Sequence, residues 1–229
     1  MSVNSPRPSW LRKEVKLSSA VLKTRKKVAS FGLITVCESA RCPNISECFS
    51  SGNATFMIMG SSCTRNCSFC AVAHGPPVNP DIDAGLKIAV FMSEQNIHFA
   101  VITSVTRDDL PDRGAAYFVR VVEDIKNKLP DARIELLVPD FKGCFKSVGR
   151  VASLPIEVFA HNLETVERLY SEVRCGADYR YSLKVLAKAA ETRRKGTLLK
   201  SGIMVGLGEK LPELEQLFTD LVHAGVEIL

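Results

Sequence analysis

At 229 residues the chain has room for one large domain or two small ones, and 46% hydrophobic with 24% charged residues is the balance of a globular chain. No apolar run approaches the roughly 18 residues that span a bilayer, so no membrane segment is expected. The formal net charge of +5 is modest, and with no RNA- or DNA-binding motif beside it, nucleic acid is not an expected partner.

Residues 1–30 carry eight Lys or Arg against a single acid, Glu14, a composition that a transit peptide also has. Val21, Leu22 and Val28, with Lys23, Arg25, Lys26 and Lys27 among them, predict a short helix with one apolar side. Its charges are read as a solvated face, with partner docking as the alternative. Two cysteine triplets follow. Cys37, Cys42 and Cys48 are spaced C-x4-C-x5-C, and Cys63, Cys67 and Cys70 are spaced C-x3-C-x2-C. Six of the eight cysteines therefore lie between residues 37 and 70 without a secretory signal before them. A reducing cytoplasm is expected, not a disulfide framework. Cys144 and Cys175 are left over and are read as ordinary free thiols. Three thiolates as close as Cys63, Cys67 and Cys70 can hold three irons of a cubane cluster and leave the fourth iron open. The alternative is a structural zinc site, for which His74 would supply the fourth ligand.

From residue 54 onward short apolar runs alternate with helical patterns. The predicted strands are 54–59, 99–105, 134–138, 157–160, 200–206 and 226–229. The clearest helical stripe is Phe118, Val121, Val122, Ile125 and Leu129, and the next is Leu214, Leu217, Phe218, Leu221 and Val222. Such repetition predicts parallel βα units, in either an open doubly wound sheet or a barrel. The loop bearing Cys63 follows the first predicted strand directly, which puts it at the C-terminal face where barrel active sites assemble. The expected division is an N-terminal cysteine-rich extension, 1–52, followed by a barrel domain, 53–229.

The paired triplets, in this order, resemble the lipoyl synthases of the radical S-adenosylmethionine (SAM) superfamily. The likeness begins at Pro8-Ser9-Trp10-Leu11 and continues through Val72-Ala73-His74-Gly75, Arg107-Asp108-Asp109-Leu110 and Leu137-Val138-Pro139-Asp140-Phe141. It goes on through His161-Asn162-Leu163-Glu164-Thr165 and Lys200-Ser201-Gly202-Ile203-Met204-Val205-Gly206-Leu207-Gly208-Glu209. The resemblance implies an α/β fold, a partial, TIM-like (β/α)6 barrel. It implies two 4Fe–4S clusters, one SAM-binding on Cys63, Cys67 and Cys70, and one auxiliary on Cys37, Cys42 and Cys48. Phe69 would lie against the adenine of S-adenosyl-L-methionine. Thr103, Ser104, Asn162 and Glu164 would bond its methionyl and ribose groups, and Gly202, Gly206 and Gly208 would let backbone approach it. The family's reaction inserts two sulfurs, at carbons 6 and 8 of protein-bound octanoyl-lysine, the auxiliary cluster being the sulfur donor. Expected partners are octanoylated carrier proteins, namely the lipoyl domains of dehydrogenase complexes and the glycine cleavage carrier protein. An electron donor such as a ferredoxin or flavodoxin and an iron–sulfur carrier complete them. The rival reading is a non-catalytic iron–sulfur or electron-transfer module.

The chain departs from the family at three places. Ala160 and Cys175 stand where asparagine and proline are expected. The family's C-terminal Arg-Ser-Ser-Tyr stretch, whose serine completes the auxiliary cluster, is absent from these 229 residues, so a truncated member with an incomplete barrel at Leu229 is expected.

Overall fold

A computed structural model of the chain describes residues 18–51 and 53–229. The resemblance at residues 8–11 and the first part of the basic segment lie outside them. Five parallel strands carry the architecture: β1 (Thr55–Ile58), β2 (Phe99–Ser104), β3 (Arg133–Leu137), β4 (Val158–Ala160) and β5 (Leu198–Lys200). Helices α1 (Ser19–Ser30), α2 (Val36–Ser39) and α3 (Ile45–Ser50) precede β1. Then α4 (Ala84–Gln95) follows β1, α5 (Ala115–Lys128) follows β2, and α6 (Phe145–Ala152) follows β3. Helices α7 (Tyr170–Val173) and α8 (Tyr179–Thr192) follow β4, and α9 (Leu211–His223) follows β5.

The strands lie side by side in chain order, with no point at which that order reverses. A doubly wound sheet reverses its order and takes helices on both faces, whereas a sheet wound in one direction keeps them outside and curls toward a barrel. The sheet here is a partial barrel that does not close on itself.

Alternation along each strand explains why the helices gather on one side. Phe56, Ile102, Leu136, Phe159 and Leu199 form one continuous row across the sheet, each at most 1% exposed. The adjacent row, Met57, Thr103, Leu137, Ala160 and Lys200, points the other way and is chemically mixed. Within that inner face Lys200 Nζ donates to Glu135 Oε1 at 2.8 Å. Phe118, Val121, Val122 and Ile125 of α5 are buried as their stripe predicts.

Both sheet edges are covered. Thr35 bridges Phe56 in antiparallel fashion, and Met57 N donates to Ile34 O at 2.8 Å, so the segment before α2 shields β1. On the other side Glu227 N donates to Leu199 O and Ser201 N to Ile228 O, both at 2.9 Å.

Three details differ from the sequence-based expectation. The strand expected at 200–206 is β5, which starts two residues earlier and stops at Lys200. Beyond it the backbone leaves the sheet to pair with the segment after β4, where Glu164 N donates to Gly202 O and Met204 N to Glu164 O. The strand expected at 226–229 is a single parallel bridge, Lys200 to Ile228. In α9 only Leu217 and Leu221 are buried; Phe218 and Val222 are 40% and 70% exposed. The apolar stripe of α9 is wider than the surface it covers.

A Cβ on Gly85 of α4 would lie 2.7 Å from Asp124 Cβ and 2.9 Å from Val121 Cα of α5, whereas a Cβ on Gly149 of α6 would meet nothing nearer than Thr192 Cγ2 at 3.6 Å. Gly85→Ala is expected to destabilise the fold by about 1–3 kcal/mol through overpacking. Gly149→Ala is expected to stabilise it by about 0.5–1 kcal/mol through helix propensity. Urea unfolding of both checks the signs, and a shift of both in one direction would contradict this packing.

Candidate active site

A cavity of about 330 Å³ opens at the C-terminal ends of β1 to β4. The loop after β1 forms one wall. It turns sharply at Gly60, where φ is +99° and a Cβ would come within 2.5 Å of Val78 Cγ2. Cys63 pairs with His74, its N–H donating to Ala73 O at 2.8 Å, which closes the loop on itself. At its far side Ser68 N and Oγ donate to Val173 O and Glu172 O at 3.1 and 2.9 Å.

Arg65, between the first two cysteines of this loop, is the main tether. Its Nε and Nη2 donate to Asp108 at 2.7 and 3.1 Å, and its Nη1 and Nη2 donate to Asp140 at 2.7 and 2.8 Å. The Arg65 and Asp140 side chains are 7% and 3% exposed. Burial alone would work against both charges, and the pairing overrides it. The Arg65 pKa is raised, and the Asp140 carboxyl is held below its ordinary range. Arg107 makes a second tether, paired with Asp109 and donating from Nη1 to Met59 O and Val78 O at 3.1 and 3.0 Å.

Cys63, Cys67, Cys70 and Phe69 all line the cavity. Cys63 Sγ accepts backbone N–H groups from Arg65 at 3.4 Å and Thr106 at 3.3 Å. The Cys67 thiol is pushed up by burial and pulled down by Arg174, and it feels both Cys63 and Cys70. Among the described residues no three such side chains stand close enough to hold a single metal ion, but three cysteines on one cavity, with amide donors on one sulfur, are the donor set of a cluster bound by three thiolates, which hydrogen bonds to sulfur and burial tune.

Thr103, Ser104, Asn162, Glu164 and Arg174 complete the polar wall. Thr103 Oγ1 donates to Leu137 O at 2.8 Å, while Ser104 Oγ is buried without a partner among the described residues. Burial raises the Glu164 carboxyl, opposed by Arg174 and by a hydrogen bond from Asn162. Arg174 Nη1 donates to Asn162 O, Tyr170 Oη and Ser182 Oγ at 2.6, 2.8 and 3.3 Å. Gly202 sits behind this wall, its Cβ position 2.9 Å from Asn162 Oδ1. Gly206 and Gly208 lie away from the cavity, with open space where a Cβ would be.

Of the other triplet, Cys37 is on α2, Cys42 is in the turn after it, and Cys48 is on α3, outside the lining of the recess that the first two share. Cys37 and Cys42 line a separate recess with Val21, Arg25, Arg41 and Phe49. Burial pushes the Cys37 thiol up, and both Cys42 and Cys48 act on it. Val36, the first residue of α2, and Ala40, its C-cap, lie about one turn apart and line the main cavity. Helix α2 thus divides the two recesses. Val21, Cys37 and Phe49 make a small satellite core, and Thr24 Oγ1 donates to Phe49 O at 2.8 Å to hold α1 on α3.

The sequence reading assigned no role to Arg65, Asp108, Asp140 or Arg174. Their signals were an arginine inside the cysteine motif and the place of Asp108 and Asp140 in the family-like runs 107–110 and 137–141, each after a predicted strand.

The fold and the cysteine loop define a radical SAM domain, and the family model described as the Radical SAM superfamily matches residues 57–221. Among solved structures, methylornithine synthase superposes with a TM-score of 0.58 at 14% identity, covering 95% of this chain and 64% of that one. The cobalamin-dependent S-adenosylmethionine radical enzyme OxsB superposes with a TM-score of 0.55, also at 14% identity, over 77% of this chain and 27% of that one. Lipoyl synthase of Histophilus somni (strain 2336) is 47% identical over 225 residues, 97% of this chain and 70% of that protein. Lipoyl synthase of Desulfotalea psychrophila is 47% identical over 97% of this chain and 74% of its own length. The chain belongs to the lipoyl synthase family. The expected family, fold class and radical-mediated sulfur insertion are met, and the relatives are longer than this chain. Among the described residues no helix is long and apolar enough to cross a membrane.

Behind the polar wall His161 is fully buried, its Nδ1 2.9 Å from Val138 O and its Nε2 unpaired among the described residues. Burial first, and then Arg174, lower its pKa from 6.5 to about 3. The fold therefore favours neutral imidazole. This contribution to stability is complete above pH 6.5 and is lost as the pH falls toward 3. Between pH 7 and 5 the loss is about 2 kcal/mol, from about 1.4 kcal/mol per pH unit below 6.5. His161→Gln is expected to remove that part of the pH dependence, measured by urea unfolding at both pH values. An unchanged difference would contradict it.

Proposed function

We propose that the main cavity holds SAM against a 4Fe–4S cluster on Cys63, Cys67 and Cys70, and that a second 4Fe–4S cluster on Cys37, Cys42 and Cys48 donates the sulfur. The substrate is an octanoyl group amide-linked to a carrier-protein lysine, converted to lipoyl by carbon–sulfur bonds at carbons 6 and 8. The observation that carries this reading is the position of α2, with Val36 and Ala40 on the main cavity and Cys37 on the neighbouring recess. An acyl chain lying along α2 would have a SAM site on one side and a sulfur source on the other.

When bound, the cluster and SAM supply a 5′-deoxyadenosyl radical able to take hydrogen from unactivated carbon. The chain's own residues orient and shield. Phe69 covers the adenine, while Thr103, Ser104 and Asn162 hold the ribose and methionyl groups by hydrogen bonds. Glu164 and Arg174 supply opposite charges for the amino and carboxylate ends of SAM. Gly202 braces Asn162, while Gly206 and Gly208 stand clear of the cavity and are given no contact with SAM. Val36, Ala40, Met57, Val72 and Leu137 line the cavity with apolar surface that excludes water from a reactive carbon radical.

On this reading residues 1–52 form the auxiliary-cluster extension and residues 53–229 the barrel. The carriers are the lipoyl domains of dehydrogenase complexes and the glycine cleavage carrier protein. Electrons come from a ferredoxin or flavodoxin, and an iron–sulfur carrier restores the spent cluster, in the reducing cytoplasm.

After anaerobic reconstitution, Cys67→Ala is expected to abolish 5′-deoxyadenosine formation. Cys42→Ala is expected to leave SAM cleavage within about threefold of the parent and to stop sulfur insertion into an octanoylated carrier peptide, followed by mass spectrometry. Equal loss of deoxyadenosine in both folded variants would overturn the division of labour.

A further inference from the structure

We infer that Arg65 is a positioning residue that sets the reduction potential of the cluster on Cys63, Cys67 and Cys70, through its double carboxylate clamp. The inference rests on the reading of those three cysteines as cluster ligands.

Two backbone amides donate to Cys63 Sγ, from Arg65 at 3.4 Å and Thr106 at 3.3 Å. They come from different loops, the first after β1 and the second after β2. The Arg65 amide lies two residues from Cys63 on the same loop, so it is the Thr106 amide that needs a fixed distance between the loops to stay aimed at that sulfur. Thr64 supplies part of that link, its N and Oγ1 donating to Thr106 O at 3.1 and 3.0 Å. Asp108 N closes the circuit by donating to Thr64 Oγ1 at 3.1 Å. The rest is the Arg65 side chain, which grips Asp108 two residues beyond Thr106 and Asp140 beyond β3. Four hydrogen bonds from one planar guanidinium leave it little rotational freedom. Asp140 is itself anchored, its Oδ1 accepting from Lys142 N at 2.9 Å.

Hydrogen bonds to cluster sulfur and local charge are two of the levers that set a cluster's potential. N–H donors on a ligand sulfur favour the reduced, more negative state. Loosening the clamp lets the Thr106 amide drift from Cys63 Sγ and makes the cluster harder to reduce. A lysine at position 65 keeps the charge but cannot grip two carboxylates with a fork, so Arg65→Lys separates positioning from charge.

The test is a redox titration followed by electron paramagnetic resonance, in full-length protein carrying Cys37→Ala, Cys42→Ala and Cys48→Ala so that one cluster gives the signal. In that background Arg65→Lys is expected to lower the reduced-to-oxidised ratio at a fixed potential at least tenfold, a negative shift of 59 mV or more for one electron. Iron and sulfide content per chain should be unchanged. If Arg65→Lys does not fold, Asp108→Asn is titrated instead. It removes a negative charge, which alone would raise the potential, so a negative shift there also supports positioning. An assembled cluster with an unchanged or raised potential overturns the inference. Absence of any 4Fe–4S signal in the parent background overturns the ligand assignment instead.

Discussion

The structure of the site depends on one buried arginine gripped by two carboxylates. Arg65, Asp108 and Asp140 come from the loops after β1, β2 and β3, so three otherwise independent connections are fixed to one another. Taking an arginine and an aspartate out of water costs several kcal/mol each, and the pairing offsets it only where geometry is good. Here the geometry is two-pronged on both sides, with four contacts between 2.7 and 3.1 Å. Removing one member would strand a buried charge, which typically costs about 3–5 kcal/mol. The cysteine loop has short, small or polar residues around Cys63 and Cys67 and little apolar surface of its own. Its order is therefore electrostatic and hydrogen-bonded, set on a sheet whose own order is hydrophobic.

That sheet divides its labour by face. Its outer row, from Phe56 to Leu199, is fully covered by helices and carries the hydrophobic stability of the fold. The inner row is released from that duty, which lets Thr103 line a cavity and lets Glu135 and Lys200 pair inside the barrel. The extension before β1 joins this plan through backbone contacts at Ile34 and Thr35, so the position of α2 follows from the edge of β1. Cys37 and the wall formed by Val36 and Ala40 are placed by the same helix. A short element thereby couples two recesses.

Much of this was legible in the sequence because it is local. The cysteine spacings are runs of a few residues, and four strands appear where apolar, β-branched runs predict them. Phe118, Val121, Val122 and Ile125 announced a buried helix face because their spacing is the helix period itself. What was not legible is what joins distant segments. Arg65 meets Asp108 and Asp140 across 43 and 75 residues, and no spacing rule reaches that far. The strand expected at 200–206 failed for a related reason. Its apolar run continues past Lys200, but Glu164 captures the backbone at Gly202 and Met204, and that competition is tertiary. Phe218 and Val222 extend the α9 stripe in the sequence while the fold has nothing to set against them. Gly206 and Gly208 resemble the family's glycines, yet in this structure they stand clear of the cavity that Asn162 and Glu164 line.

On the proposed reading, two cysteine triplets serve one cavity with different chemistry, the second beginning on α2 itself. An anaerobic crystal structure of the reconstituted protein with SAM tests it most directly. One cluster is expected on Cys63, Cys67 and Cys70 with SAM between it and the Asn162–Glu164–Arg174 wall, and a second on Cys37, Cys42 and Cys48 beside α2. A cluster whose ligands mix the two triplets, or SAM bound outside the cavity, would contradict it.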